Sequence, residues 1–114
     1  MAELNISEGQ AGYVTILEMD GRVTIDEGSL LLRHTIRRLL TEGKKKIILN
    51  FESVRHIDQS GIGELVSSFT AVNKEGGQLK LLNLTQKSKD LLTITKLLTV
   101  FEVFENREKA LESF

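Results

Sequence analysis

Two hydrophobic spacings alternate along the chain, one typical of β-strands and one typical of α-helices. The segment GYVTILEM at 12–19 is rich in β-branched and aromatic residues, which predicts a strand. The run KIILNF at 46–51 is continuously apolar, as in strands that are covered on both faces. Two further segments, QLKLLNL at 78–84 and VFEVF at 100–104, are also predicted to be strands.

Helical spacing, with apolar residues three and four positions apart, marks the segments between those strands. It predicts helices over 29–41, 61–75 and 85–98, and Asn106 is expected to cap a short terminal helix. In the second helix, the residues expected to face inward are Ile62, Leu65, Val66, Phe69 and Val72. In the third helix, they are Leu91, Ile94 and Leu98.

The order of these elements predicts the fold class. Strands alternate with helices from residue 46 onward, which indicates an α/β domain with parallel strands joined by right-handed crossovers. An opening pair of strands, joined by a turn near Asp20-Gly21, is expected to form an antiparallel or bulged edge. We therefore predict one domain over 1–114, with a mixed, mostly parallel sheet of about four to five strands and helices packed on it. Its core is expected at about 12–114, with a loose segment at 1–10.

Composition and charge narrow the classes of function. The chain is 40% hydrophobic and 27% charged, which is ordinary for a folded domain. With 15 basic and 16 acidic residues, its formal net charge is −1, so neither nucleic acid nor an anionic membrane is indicated as a partner. The opening residues lack the basic start and apolar core of a signal peptide, and no apolar run approaches membrane-spanning length. We therefore expect a cytoplasmic protein.

The residue types that metal and thiol chemistry require are scarce. The sequence has no cysteine, which excludes disulfides and thiolate ligands. Its two histidines, His34 and His56, lie far apart in the chain, so a zinc site is not expected. We predict no metal, no cofactor and no catalytic residue.

The most unusual segment is HIDQSGIGELV at 56–66, between a predicted strand and a predicted helix. The carboxyl ends of parallel strands are where α/β domains place functional loops. Ser60 is expected at or beside the N-cap of the helix, where its hydroxyl could accept a hydrogen bond from a free amide. A cap alone does not explain Gly61 and Gly63, because each glycine costs a helix about 1 kcal/mol relative to alanine. We therefore expect another group to approach this turn closely.

Three functional interpretations stand beside a purely structural cap. Ser60 could be a nucleophile with His56 as base and Asp58 as orienter, but the G-x-S-x-G pattern is missing. The turn could hold a phosphate group, but no P-loop lysine follows Gly63. Alternatively, Ser60 could receive a phosphate, adding about −1.5 to −2 charges beside Asp58 and Glu64.

With the preceding strand KKIILNFESV, the segment IDQSGIGELV resembles the signature of STAS domains, and in particular of bacterial anti-sigma factor antagonists. The family's pattern is a strand, an Asp, two small hydroxyl residues, and then Gly-x-Gly at the start of a helix. The resemblance covers 12–114. LEMDGRVT is similar to the family's opening strand and turn, GGQLKLLNLT to its next strand, and LLTITKLLTVFEVFENREKAL to its closing helix, strand and helix.

The resemblance implies a partner switch in which this chain is not an enzyme. The unmodified antagonist would bind an anti-sigma factor that is also a serine kinase, which frees the sigma factor. Phosphorylation of Ser60 by that kinase would dissociate the complex. A serine phosphatase would then remove the phosphate and restore the unmodified antagonist. The residues that we expect to bind the partner are Asp58, Gln59, Gly61, Gly63, Glu64, Thr24 and Ser67.

Two positions depart from the family's pattern. Gln59 stands where many members have Ser or Thr, so this loop offers one hydroxyl instead of two. Thr24 stands where many antagonists have Asp, and Asp26 lies two positions later. The alternative function is that of a STAS domain acting as a non-phosphorylated scaffold in a larger signalling assembly.

The remaining charged residues are given an ordinary interpretation. Arg33, Arg37 and Arg38 are expected on a solvated helix face, and the lysines at 44–46 at a charged strand start. A basic docking patch for an acidic partner is the less favoured interpretation.

Overall fold

The computed structural model describes residues 3–25 and 27–114 as nine elements. They are β1 (Leu4–Ala11), β2 (Val14–Val23), α1 (Glu27–Thr41), β3 (Lys46–Ile57), α2 (Gln59–Lys74), β4 (Gln78–Leu82), α3 (Gln86–Ile94), β5 (Val103–Phe104) and α4 (Arg107–Glu112). No described helix is long and apolar enough to cross a membrane.

The five strands form one sheet in the order β1-β2-β3-β4-β5. β1 runs antiparallel to β2, and every other neighbouring pair is parallel. The carboxyl ends of β2 and β3 meet where Val23 lies beside Ile57. This mixed sheet, with helices packed on it, confirms the predicted α/β class.

The prediction of a loose segment at 1–10 is wrong for the residues that the structure describes. β1 pairs along its whole length with β2, from Leu4 opposite Gly21 to Ala11 opposite Val14. Leu4 is buried in the main core, which accounts for the ordering of a segment whose other residues are mostly polar. Met1 and Ala2 lie outside the described residues.

The antiparallel turn also lies elsewhere than predicted. It is formed at 12–13, whereas Asp20 and Gly21 lie inside β2. There the pairing of β2 with β3 shifts register twice, between Glu18 and Asp20 and again at Gly21. Gly21 has a φ of +124°, and a Cβ on it would overlap the Glu3 carbonyl. A sequence pair typical of a turn therefore serves here as a bulge in a continuous strand.

The main core lies between one face of the sheet and helices α1, α2 and α3. The inward residues predicted for α2 are all in it or packed against it. A smaller cluster on the other face is closed by Ala110 of α4, with Leu111 and Phe114 beside it.

Two predictions near the end of the chain need correction. α3 ends at Ile94, which is 76% exposed instead of inward, and Leu92 takes the buried position. β5 contains two residues instead of five. Asn106 does cap the terminal helix, because its side-chain oxygen accepts from the Lys109 amide at 3.0 Å.

Candidate functional site

The segment 56–66 lies at the carboxyl end of β3, but the strand is longer and the loop shorter than predicted. β3 continues to Ile57, and α2 begins at Gln59. A single residue, Asp58, therefore joins the strand to the helix. The neighbouring connection, from β2 into α1, lies alongside it because Val23 and Ile57 are paired.

Asp58 fastens these two connections together. It is the N-cap of α2, and its Oδ1 accepts a hydrogen bond from the Gly61 amide at 2.9 Å. Its Oδ2 accepts from the Ile25 amide at 3.1 Å, across the gap to the β2–α1 connection. One carboxylate thus satisfies a free amide at a helix start and fixes the position of the adjacent loop.

The expectation that the Ser60 hydroxyl caps the helix is therefore wrong. The cap is two residues earlier, and Ser60 lies in the first turn of α2 with its side chain exposed. Within the described residues, no hydrogen bond of the Ser60 hydroxyl is present, so the hydroxyl is not needed to hold the helix start. Gln59 is exposed beside it.

The two glycines of this turn have different environments. A Cβ on Gly61 would overlap the Val23 carbonyl oxygen and lie 2.7 Å from Cγ1 of Ile57. The close approach expected from the sequence is thus made, at Gly61, by strand β2 of the same chain. A Cβ on Gly63 would meet nothing within 4 Å, and this residue is exposed.

Glu64 is buried, although the sequence interpretation placed it on the partner surface. It is 6% exposed and accepts hydrogen bonds from Nε of Arg33 at 3.0 Å and from the Ser68 hydroxyl at 3.2 Å. Arg33, on α1, is 47% exposed, so the expectation of a wholly solvated arginine is also corrected. The pair joins α1 to α2 beside Ser60.

The other two expected partner residues contribute less exposed surface. Thr24 is buried, its hydroxyl donates to Glu3 at 3.2 Å, and its carbonyl accepts from the amide and hydroxyl of Ser29. Ser67 is half-buried on α2. Asp26, the other acidic residue considered for this loop, lies outside the described residues.

A groove of about 340 Å³ lies between α1 and the start of α2. Its lining residues are Ile25, Ser29, Leu30, Arg33, Ser60, Gly63 and Glu64. Ile25 is 61% exposed and Leu30 is 47% exposed, which leaves two large apolar side chains in solvent at its edge. Neither residue was predicted from the sequence, although Leu30 is a large apolar residue off the face of α1 that buries Leu32 and Ile36, and that departure marks it as a candidate contact.

The geometry does not assemble a nucleophilic triad. Both Asp58 oxygens accept from backbone amides instead of orienting His56, which is exposed on β3. In the part of the chain that the structure describes, no group of three or more His, Cys, Asp or Glu side chains could hold a metal ion. What the site offers is an exposed hydroxyl on a firmly held helix start, beside a groove with an apolar edge.

Known proteins share this architecture. A family model for the STAS domain matches residues 5–110. A protein of Thermotoga neapolitana, provisionally named an anti-sigma factor antagonist, is 26% identical over 99 residues, which cover 87% of this chain and 88% of that protein.

Solved structures extend the likeness to the fold. A Thermotoga maritima protein with the same provisional name has a TM-score of 0.88 at 23% identity, covering 95% of this chain and 92% of its own. The phosphorylated form of the Bacillus protein SpoIIAA, an anti-sigma factor antagonist, has a TM-score of 0.74 at 18% identity, covering 96% and 98%. At these identities the solved structures show a shared fold.

Proposed function

The chain belongs to the STAS domain family, and from this premise we propose that it is an anti-sigma factor antagonist controlled by phosphorylation of Ser60. The observation that carries the proposal is the exposed Ser60 hydroxyl on a backbone fixed by Asp58, beside the groove edged by Ile25 and Leu30. The names of the Thermotoga neapolitana relative and of SpoIIAA support the same function, and SpoIIAA has a phosphorylated form.

In the unmodified state, the partner covers the exposed side of the first turn of α2 and the neighbouring end of α1. Ile25 and Leu30 supply apolar area there, and Gly63 lets the partner's backbone approach the helix. The partner is an anti-sigma factor that is also a serine kinase, and it contacts Gln59 and Ser60 directly.

Phosphorylation transfers the γ-phosphoryl group of ATP to the Ser60 oxygen, with loss of the hydroxyl proton and release of ADP. The modified residue then carries about −1.5 to −2 charges. Burying that charge against a partner surface that offers no compensating cation costs several kcal/mol, which is enough to dissociate a micromolar complex. Removal of the phosphate by a serine phosphatase restores binding.

The proposal is tested by titrating the purified protein against anti-sigma factor kinases encoded in the same genome. Ser60→Ala should bind within about threefold of the wild type, and Ser60→Asp should bind at least about tenfold more weakly, a difference of roughly 1.4 kcal/mol. Thr70→Asp is the matched control, because Thr70 is exposed on the same helix but does not line the groove. It should bind like the wild type.

Phosphosite mapping of protein recovered from its native cells provides the second readout. A mass increase of one phosphate, localised to Ser60 and absent in Ser60→Ala, is the expected result. Equal binding of Ser60→Asp and wild type, together with an unmodified Ser60 under growth and stress, would contradict the proposal. The non-phosphorylated scaffold would then be the better explanation.

A further inference from the structure

Arg33 and Ser60 lie on different helices but line the same groove. Glu64 connects them, because it is one helical turn after Ser60 on α2 and accepts a hydrogen bond from Nε of Arg33 at 3.0 Å. Side chains at i and i+4 of a helix have Cβ atoms about 5–6 Å apart. A group attached to the Ser60 oxygen would therefore share this groove with the Arg33 side chain.

We propose that Arg33 is the internal receptor for the phosphate on Ser60, bridging that phosphate and the buried Glu64 carboxylate. This inference rests on the proposed phosphorylation of Ser60 and assigns Arg33 a part in the regulation of that site.

The geometry of the guanidinium suits a bridge of this kind. Within residues 3–25 and 27–114, its bond to Glu64 uses Nε, and the side chain is 47% exposed. A guanidinium has five N–H donors in a planar fork, so its Nη groups can bind a second anion while Nε keeps the first. Arginine–phosphate pairs of this type are among the strongest charge-assisted hydrogen bonds in proteins.

Arg33 offsets part of the negative charge around the phosphate. Asp58 is the N-cap of α2 and Glu64 lies in its second turn, and both carboxylates are already bonded, Asp58 to two amides and Glu64 to Arg33 and Ser68. Arg33 brings a cation from α1 to Glu64, at 3.0 Å. Bridging thus lets the fold accept the phosphate without separating Arg33 from Glu64.

The bridge also changes what a partner meets. In the unmodified protein, the exposed part of Arg33 is available to an acidic group of the partner at the groove. In the phosphorylated protein, the same guanidinium is engaged by the phosphate. Modification therefore withdraws a cationic contact as well as adding negative charge.

The test uses full-length protein with phosphoserine installed at position 60 during translation, so that neither the kinase nor the anti-sigma factor is needed. The phosphate is titrated by ³¹P NMR, since the second pKa of phosphoserine is about 6. A nearby cation favours the dianion and lowers this pKa. Arg33→Gln should therefore raise the measured pKa by about 0.5 to 1 unit.

Arg37→Gln is the matched control, because Arg37 is exposed on the same helix, one turn later, and does not line the groove. It should change the pKa by less than about 0.2 units, a long-range effect that salt screens. Arg33→Lys should restore part of the lowering. Glu64→Gln should lower the pKa further, because it removes the anion that competes for Arg33.

Arg33→Gln alone leaves the buried Glu64 carboxylate without its arginine, which could disturb the fold. A double variant controls for this. Arg33→Gln with Glu64→Gln removes both charges, and its phosphate should titrate above that of Glu64→Gln alone, because the two differ only in Arg33. Equal phosphate pKa values with and without Arg33, both in the protein that retains Glu64 and in the Glu64→Gln background, would overturn the bridge. Because no partner takes part, such a result would leave the phosphorylation switch itself standing, and failure of the binding experiment would leave the bridge standing.

Discussion

The two ends of the sheet differ in what their charged side chains hold in place. At the carboxyl ends of β2 and β3, the Asp58 carboxylate binds two backbone amides, and Glu64 is buried against Arg33. Toward the opposite end, Glu8 of β1 meets Arg38 and Lys44 in a surface cluster whose three side chains are 28%, 49% and 37% exposed. At the first end a carboxylate holds the backbone, whereas at the second end charged side chains pair with one another at the surface.

The difference shows how a protein can present a modifiable residue without risking its fold. The first turn of α2 is held by Asp58, which binds the amides of Ile25 and Gly61, and by the close contact of Gly61 with the Val23 carbonyl. Ser60 and Gly63 of the same turn are directed toward solvent. A change on the exposed side therefore alters the surface, whereas a change on the buried side alters the backbone.

The largest effect is expected from Gly61→Ala. The added methyl group would overlap the Val23 carbonyl, and backbone on both sides of the contact must shift. Overpacking of this kind costs about 1–3 kcal/mol or more, so we expect a loss of roughly 2–3 kcal/mol in the free energy of unfolding. Urea denaturation followed by circular dichroism measures it.

Gly63→Ala is the matched control for that experiment. It is the same substitution two residues later, into open space, and the better helix propensity of alanine should stabilise the protein by up to about 1 kcal/mol. Equal losses of unfolding free energy in Gly61→Ala and Gly63→Ala would contradict the difference between the buried and exposed sides of this turn.

An intermediate effect is expected from Asp58→Ala. The amides of Gly61 and Ile25 lose their acceptor, and loss of an N-cap typically costs about 0.5–2 kcal/mol. Asp58→Asn should lose less, because its one side-chain oxygen can still accept at the helix start. Thermal denaturation provides the comparison.

Ser60→Ala separates the cap from the exposed side of the turn. Since the cap is Asp58, the change at Ser60 should alter stability by no more than about 0.5 kcal/mol. A loss as large as that of Asp58→Ala would mean that the hydroxyl does hold the helix start.

The fold class could be predicted because the spacing of apolar residues along the chain indicates which faces of helices and strands are buried. The inward face of α2 and the continuous apolar run of β3 each follow from a spacing that tertiary structure did not override. β1 could not be predicted in this way, since its residues are mostly polar and it is ordered by pairing with β2 and by one buried leucine. The turn predicted at Asp20-Gly21 was wrong because turns and β-bulges use the same residue types.

The site could be predicted only in part. The glycines and the serine mark the turn in the sequence, but which glycine touches β2 depends on how α2 lies across the sheet. The burial of Glu64 depends on Arg33, 31 residues earlier, and no local pattern connects the two. Ile25 reaches the site because the Asp58 side chain holds its amide, a contact between residues 33 positions apart.

The smallest effect is expected at the opposite end, from Glu8→Gln. The hydrogen bond from Arg38, at 2.5 Å, holds the pKa of Glu8 below its usual value of 4.5, with Lys44 adding to the effect. A lowered pKa means that the carboxylate stabilises the fold above the pKa of the unfolded chain and that this contribution is lost as the pH falls through the folded pKa. Glu8→Gln should therefore lower the melting temperature slightly at pH 7, and the difference from the wild type should vanish in acid and shrink in high salt.

Glu52→Gln is the control, since Glu52 is exposed on β3 and forms no ion pair with the described residues. A difference that persists below pH 3 would show that Glu8 acts through packing instead of charge, and the contrast between the two ends of the sheet would then be one of degree.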